Sequence, residues 1–439
     1  MLDAAGIIGW FWLVATLRNL AIPFADLLSP ILLPFLIQSV ALYLIDGYQR
    51  RTDMLGAEYV SLHALAILTS MVVVVLLTFV IIPAGYPLQG SRLLVVAAFA
   101  GHGITSLLCR RRLYLATYRS YARRKIVFVG SPKEGHDFET ECARMELHLP
   151  IWTISPQESP EAIAKLIAAG REENSPIEAV VLRETAQSLR AEDLESLVDL
   201  YFHGVPTFTL EFFHEIYWRK VPLYRLNQIW LFQAGFRVAR EPVFERTKRG
   251  SDIGLALLGI AFAAPFVGLA AIAIWLQDRG PIFFRQQRIG RNRRPFSLLK
   301  LRTMRVAPPT PVADRDQRYT QPGDRRITAV GRLLRATRVD EFPQLWNVLK
   351  GDMSLIGPRA EWDELVRDYE SAIPCYHFRH LVRPGITGWA QVNYPYGANL
   401  DDTLRKLEYD LYYIRHYSFR MDASIILKTI HVMLFGKGR

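Results

Sequence analysis

Four long apolar runs fill the first 110 residues, and each approaches the roughly 20 residues that a membrane-crossing helix needs. They are Gly6 to Ile22, with Arg18 near its end; Leu27 to Ile45, with Pro30 and Pro34 inside it; Ala57 to Ile82, whose centre is Met71-Val-Val-Val-Val-Leu-Leu; and the shorter Leu93 to Leu108. The loop from Pro83 to Ser91 holds no Lys or Arg, whereas Arg50 and Arg51 follow the second run and Arg110, Arg111 and Arg112 follow the fourth. Basic residues stay on the cytoplasmic side, so both ends of this four-helix bundle, and everything after Arg110, are expected there. The start lacks the basic opening and small-residue cleavage site of a removable signal, so an uncleaved anchor is expected.

From Lys125 the pattern changes to short apolar strands alternating with helical stretches. Lys125–Gly130, Pro150–Ser155, Glu178–Leu182 and Val205–Leu210 read as strands, and Leu189 to Phe202 as a helix. This order predicts a parallel α/β unit of Rossmann type. Its first turn, Gly130-Ser-Pro-Lys-Glu-Gly135, has two glycines and a proline where a dinucleotide fingerprint needs three glycines. A bound dinucleotide is therefore not expected. A further apolar run, Ile253 to Leu276, has Arg246, Lys248 and Arg249 before it and Arg279, Arg285 and Arg288 after it. Both flanks read as cytoplasmic, and Pro265 sits near the middle, where it removes a helix hydrogen bond. The expectation is a re-entrant helix over 251–278 that breaks at Pro265; the rival is a kinked full span. Ala307 to Gln321 reads as a loop, and no internal repeat is visible. The domains expected are thus 1–112, four transmembrane helices; 113–240, a Rossmann-like (CoA-binding-like) cytoplasmic domain; and 241–439, a helix-rich catalytic domain.

Composition agrees with soluble units attached to a membrane part: half of the 439 residues are hydrophobic and mean hydropathy is +0.10. The net charge of +11 is concentrated between Arg279 and Arg383. It points to anionic lipid or to bound phosphates; membrane spans make nucleic acid a poor partner. Cys109, Cys142 and Cys375 fit no metal spacing and read as thiols of a reducing compartment.

The chemistry concentrates at Asp340-Glu341-Phe342-Pro343. Proline favours a first helical position and disfavours helix just before it. The acids therefore belong at the start of a helix that runs from Leu345 to Lys350 and stops at Gly351. Two acids there could merely cap the helix. Their surroundings decide otherwise: Lys248-Arg-Gly-Ser-Asp252, Gly280-Pro-Ile-Phe-Phe-Arg-Gln-Gln-Arg-Ile-Gly290, Lys300-Leu-Arg-Thr-Met304, Asp324-Arg-Arg-Ile-Thr328, Gly331-Arg-Leu-Leu-Arg335, the run Asp340 to Ser354, Gly357-Pro-Arg359, Arg383-Pro-Gly-Ile-Thr-Gly-Trp-Ala-Gln-Val392 and Lys406-Leu-Glu-Tyr-Asp-Leu-Tyr-Tyr413. With these, the chain from Lys248 onward resembles the bacterial sugar transferases, the polyprenyl-phosphate glycosyl-1-phosphate transferases of monotopic type. The N-terminal half resembles that of the family's long members. Departures are Ala360 where proline is usual, Ala264-Pro265 where some members have Ser-Pro, and Arg293-Arg294 where glycine and lysine are common.

The resemblance implies a phosphotransferase that moves sugar-1-phosphate from a UDP-sugar to polyprenyl phosphate. It implies Asp340 as nucleophile, leaving a phosphosugar on its carboxylate, and Glu341 as its partner, the two holding Mg²⁺ (or Mn²⁺). Lys300, Arg302, Arg335, Arg359 and Arg383 are the candidates for the phosphates. Arg383-Pro-Gly-Ile-Thr-Gly reads as a tight loop where backbone approaches the nucleotide, and Gln391 as a uracil reader or a core amide. Asp410, Tyr412 and Tyr413 read as structural, the tyrosines suiting a lipid interface. Downstream glycosyltransferases are the implied partners, and the large N-terminal half is consistent with a homo-oligomer. The rivals are a membrane-anchored nucleotide-sugar dehydratase, which needs a later Tyr-x-x-x-Lys that is misplaced here at Tyr121–Lys125, and an inactive scaffold of an assembly complex.

Overall fold

A computed structural model describes residues 2–20, 23–49, 52–82, 85–121, 124–147, 149–155, 176–183, 191–223, 236, 241–305, 324–395, 397 and 399–435. The expected loop from Ala307 to Gln321 lies outside them. The chain forms two compact units, Met1–Trp218 and Arg219–Arg439.

In the first unit, α1 (Leu2–Leu17), α2 (Phe24–Leu44), α3 (Ala57–Leu76) and α4 (Arg92–Tyr121) coincide with the four apolar runs. α1 packs on α2 and α4, and α3 packs on α2 and α4. Ala57–Ile81 and Arg92–Thr117 are long and apolar enough to cross a membrane; Leu2–Leu17 and Leu28–Leu44 are shorter apolar helices. The chain then builds β1 (Lys125–Val129), α5 (Pro132–Arg144), β2 (Ile151–Ile154), β3 (Ile177–Leu182), α6 (Ala191–Phe202) and β4 (Thr207–Thr209). The sheet is all parallel in the order β2-β1-β3-β4. Successive β1 side chains face opposite ways, as strand geometry requires. Val127 and Val129 enter one core with Val180 and Leu200; Ile126 and Phe128 enter another with Phe138 and Phe213. Both faces are covered, which is why these strands are continuously apolar.

The second unit starts at Arg219, ahead of the expected position 241. Val221, Leu223 and Phe236 sit in its main core with Trp389, Leu411 and Ile425, and Trp389 Nε1 donates to the Arg219 carbonyl at 3.0 Å. Its first long helix, α7, is Pro242–Asp278. Here the expectation fails: Pro265 lies inside one uninterrupted helix and does not break it. The missing N–H costs about 3 kcal/mol, and the alanines on both sides (Ala261, Ala263, Ala264, Ala270, Ala271, Ala273) are the best helix formers.

α7 instead stays on its own unit along its whole length. Lys248 pairs with Asp422, and Asp252 accepts from Ser354 Oγ and the Leu355 amide. Ala256 packs with Leu298 and Val348, Ala270 and Ile274 with Leu301 and Leu334, and Asp278 binds Arg302. Small residues make this inner stripe, while large ones such as Leu258, Phe262, Leu269 and Leu276 are all about two-thirds exposed. After α7 come the antiparallel hairpin β5 (Phe283–Ile289) and β6 (Pro295–Leu301), then α8 (Ala329–Ala336), α9 (Gln344–Lys350), β7 (Ser354–Ile356), α10 (Asp363–Ala372), β8 (Gly385–Thr387), α11 (Trp389–Asn393), α12 (Leu400–Arg415) and α13 (Phe419–Phe435). β7 and β8 form a separate parallel pair.

Candidate active site

Asp340 and Glu341 stand in a single 3₁₀ turn, Val339–Glu341, that runs directly into α9. Phe342, the residue before proline, is itself right-handed helical at φ −56°, so the turn does not begin where proline's steric rule placed it. The chain enters this turn at Arg338, which precedes Val339 and has a φ of +58°. Gly351, at φ +94°, ends α9 as expected. Asn347 fixes this helix to the hairpin: its Oδ1 accepts from the Leu299 amide at 3.0 Å and its Nδ2 donates to the Ser297 carbonyl at 2.7 Å. That register sets Lys300, the next residue of β6, beside the acids.

Lys300 Nζ donates to Glu341 Oε1 at 3.1 Å, and Arg338 Nη1 stands 3.9 Å from the same oxygen. The two carboxyls are driven apart. Burial and the neighbouring Glu341 raise the Asp340 carboxyl to about 6, against the pull of Lys300, Arg335 and Arg338. Burial also works against ionised Glu341, but Lys300, Arg359 and Arg338 more than offset it and hold that group at about 2. Burial lowers the Lys300 ammonium, with Glu341 pulling it back up. Among the described residues no donor hydrogen-bonds to the Asp340 carboxylate, which is 8% exposed. One acid is thus committed to cations and the other keeps its lone pairs free.

The remaining candidates divide. Arg335 reaches Thr303 Oγ1 with Nε at 2.8 Å and lies in the field of Asp340. Arg359 acts on Glu341 and lines a cleft of about 150 Å³ with Arg338, Arg379, Lys406, Gln391 and Tyr394. Four cations there face two carboxylates, Glu361 and Asp410. Gln391 donates to the Ile386 carbonyl at 3.3 Å, while its buried Oε1 has no partner among the described residues. Ala360, in the place of the usual proline, is buried beside Phe296 and Leu298.

Arg302 does not join this group: both of its terminal nitrogens bind Asp278, tying β6 to the end of α7. Arg383 donates to the Gly351 carbonyl at 3.2 Å, at the far end of α9 from the acids. The glycines after it serve the chain's own backbone, since a Cβ at Gly385 would lie 2.1 Å from the Gly357 nitrogen and one at Gly388 2.2 Å from the Gly357 oxygen. Asp410 pairs with Arg379 at 3.0 Å; Tyr413 is 1% exposed and bonded to Asp422 and the Ile356 carbonyl, away from any lipid interface. The sequence reading missed Arg338, Asn347, Arg379 and Lys406. Lys406 and Asn347 carried a signal, their places in family motifs; Arg338 and Arg379 carried none.

Among the described residues no three His, Cys, Asp or Glu surround a common point. Asp340 and Glu341 would suit Mg²⁺ bound partly through substrate phosphates and water. In the first unit, the helix N-terminus where a dinucleotide phosphate would sit is taken by Glu134. It accepts from Ser131 Oγ at 2.8 Å and from Arg183 at 3.0 Å.

The family described as bacterial sugar transferase matches residues 243–436. An Aeromonas hydrophila protein named UDP-N-acetylgalactosamine-undecaprenyl-phosphate N-acetylgalactosaminephosphotransferase is 44% identical over 200 residues, 45% of this chain and 46% of that protein. A Caulobacter vibrioides UDP-glucose:undecaprenyl-phosphate glucose-1-phosphate transferase is 43% identical over 189 residues, 43% of this chain and 69% of the relative. An exopolysaccharide production protein PSS of Rhizobium leguminosarum is 39% identical over 199 residues, 44% of this chain and 97% of the relative. The chain thus spans just under half the length of the Aeromonas protein and nearly all of the Rhizobium one. The matched family segment contains the acid pair and every cation around it, and the chain belongs to the bacterial sugar transferase family.

Proposed function

We propose that this protein transfers sugar-1-phosphate from a UDP-sugar to polyprenyl (undecaprenyl) phosphate, giving polyprenyl-diphospho-sugar and UMP. That is the first membrane step towards an exopolysaccharide, O-antigen or capsule. The carrying observation is the division within the dyad: Glu341 held by Lys300 and Arg338, Asp340 buried with free lone pairs. The relatives' names, which specify undecaprenyl phosphate and UDP-sugars, support the substrate class.

In the first step an Asp340 carboxylate oxygen bonds to the β-phosphorus. The bond from that phosphorus to the bridging oxygen breaks, and UMP leaves with the electron pair. The phosphosugar stays on Asp340 as an acyl phosphate. In the second step a polyprenyl phosphate oxygen bonds to the same phosphorus and the Asp340 carboxylate is released. Both attacking groups are already anionic, so neither step needs a base. Charge is the obstacle, and Lys300, Arg335, Arg338 and Arg359 neutralise it. Mg²⁺ (or Mn²⁺) held by Asp340 and Glu341 would add to that neutralisation.

The four N-terminal helices form a transmembrane bundle in the bacterial cytoplasmic membrane. α7 lies at the inner leaflet with its large residues in lipid and both ends cytoplasmic. Its contacts with its own unit at both ends support this, because a full crossing would carry one end away. The test is UMP release and lipid-linked product from the purified full chain, given a panel of UDP-sugars and polyprenyl phosphate, with excess chelator as a further arm. Turnover with at least one sugar, stopped reversibly by chelation, is expected. No UMP from any UDP-sugar overturns the reading, and full rate in chelator removes the metal from it.

A further inference from the structure

A groove of about 660 Å³ in the first unit runs between α1 and α4. Its wall is apolar along Ala5, Trp10, Leu13 and Leu113, and one end is polar. Asp3, which opens α1, accepts there from Ser106 Oγ at 2.8 Å, from the Tyr48 hydroxyl at 3.0 Å and from Arg110 Nη2. Arg110 also donates to the Gly47 carbonyl and, through Nε, to Ser106.

A tally of donors and acceptors shows what this end still lacks. Asp3 is met by three donors. Arg110 donates to Asp3, Ser106 and the Gly47 carbonyl and also acts on the Tyr59 hydroxyl, out of the five N–H groups a guanidinium carries. His102 is 1% exposed and lines the groove, yet among the described residues neither ring nitrogen has a hydrogen-bond partner; its Nε2 is 3.9 Å from Asp3. Gly6 makes room for it, since a Cβ there would come within 2.8 Å of the ring. His102 is thus left with one donor and one acceptor unmet in a buried position. A buried polar group left so is costly.

We propose that this groove binds one membrane phospholipid, with an acyl chain along Trp10 and Leu13 and its phosphodiester oxygens on Arg110 and His102. Phosphodiester oxygens supply acceptors for the His102 N–H and for Arg110 N–H groups beyond those already used. A phosphodiester is favoured over a phosphate monoester because Asp3 already neutralises Arg110, so the cluster has no surplus charge for a dianion. The length suits a chain: Asp3 to Leu13 is about 15 Å of helix. This site is separate from the dyad and does not depend on the proposed reaction.

Gly9 offers the decisive variant. It lines the groove and a Cβ there meets nothing within 4 Å, so Gly9→Leu starts its side chain in open space, occupies the groove and improves a helix position. The full chain, purified in detergent and stripped of lipid, is titrated with phosphatidylglycerol, diacylglycerol or polyprenyl phosphate and examined by native mass spectrometry. One phosphatidylglycerol per chain is expected on the wild type, with retention reduced at least about ten-fold by Gly9→Leu and by His102→Leu. A second measurement needs no variant: Cys109, exposed on the groove wall, should lose reactivity to a lipid-soluble maleimide when phosphatidylglycerol is added. Equal retention by Gly9→Leu, equal binding of diacylglycerol, preference for polyprenyl phosphate, or an unprotected Cys109 would each overturn the proposal.

Discussion

Replacing Lys300 with methionine isolates the interaction that separates the two acids. Lys300 and Glu341 stand 3.1 Å apart with side chains 18% and 15% exposed. At an effective dielectric constant near 20 their attraction is ~5 kcal/mol. Desolvation of both ions offsets much of that, and loss of one partner from a buried pair costs about 3–5 kcal/mol. Arg338, at 3.9 Å, remains to serve Glu341, so Lys300→Met should fall at the low end, about 3 kcal/mol. Lys300→Met with Glu341→Gln should regain at least about half of that, a coupling of the size seen for contacting charges. Activity should not return in the double variant, because Asp340 then lacks both partners. The assays are denaturant unfolding of the four proteins of the cycle and UMP release by each. A coupling near zero, or a double variant as active as wild type, would refute the view that Lys300 holds Glu341 ionised for catalysis.

Arg302→Gln should lower the melting temperature by releasing Asp278 and leave KM for the UDP-sugar unchanged; a raised KM would return Arg302 to the phosphates. Burial, with the charges of Arg379, Arg293 and His377, holds the His380 imidazole at about 3. The unfolded chain binds a proton near 6.5 that the native one refuses, so stability present above pH 6.5 is lost as pH falls towards 3, by at most about 1.4 kcal/mol per pH unit. His380→Phe should flatten that slope in thermal melts; an unchanged slope would mean that the imidazole is protonated in the fold. In intact cells, with native cysteines replaced, an impermeant reagent should label Gln89→Cys and not Asn292→Cys. Labelling of Asn292→Cys from outside would make α7 a full span.

The parts legible in the sequence are those fixed by neighbours along the chain. The Rossmann strands were readable because both faces of β1 and β3 are buried, which leaves continuous apolar runs. The acid pair was readable because family motifs surround it, and the end of its helix because Gly351 follows. What escaped depends on tertiary direction. Lys300 and Arg302 are two apart and would share a strand face, but β6 ends at Leu301 and Arg302 turns to Asp278 instead. Arg338 adopts a left-handed backbone that nothing in an arginine announces. Pro265 was given the weight of a local rule, whereas the small-residue stripe from Ala256 to Ala270 holds the helix against its unit past it.

The most direct test of the covalent account is mass spectrometry of the full chain incubated with a turned-over UDP-sugar and no lipid acceptor. The account predicts one phosphosugar per chain, mapped to the peptide bearing Asp340, removed by adding polyprenyl phosphate and absent from Asp340→Asn. An adduct that persists in Asp340→Asn, or UMP released only when the lipid is present with no adduct formed, would contradict it.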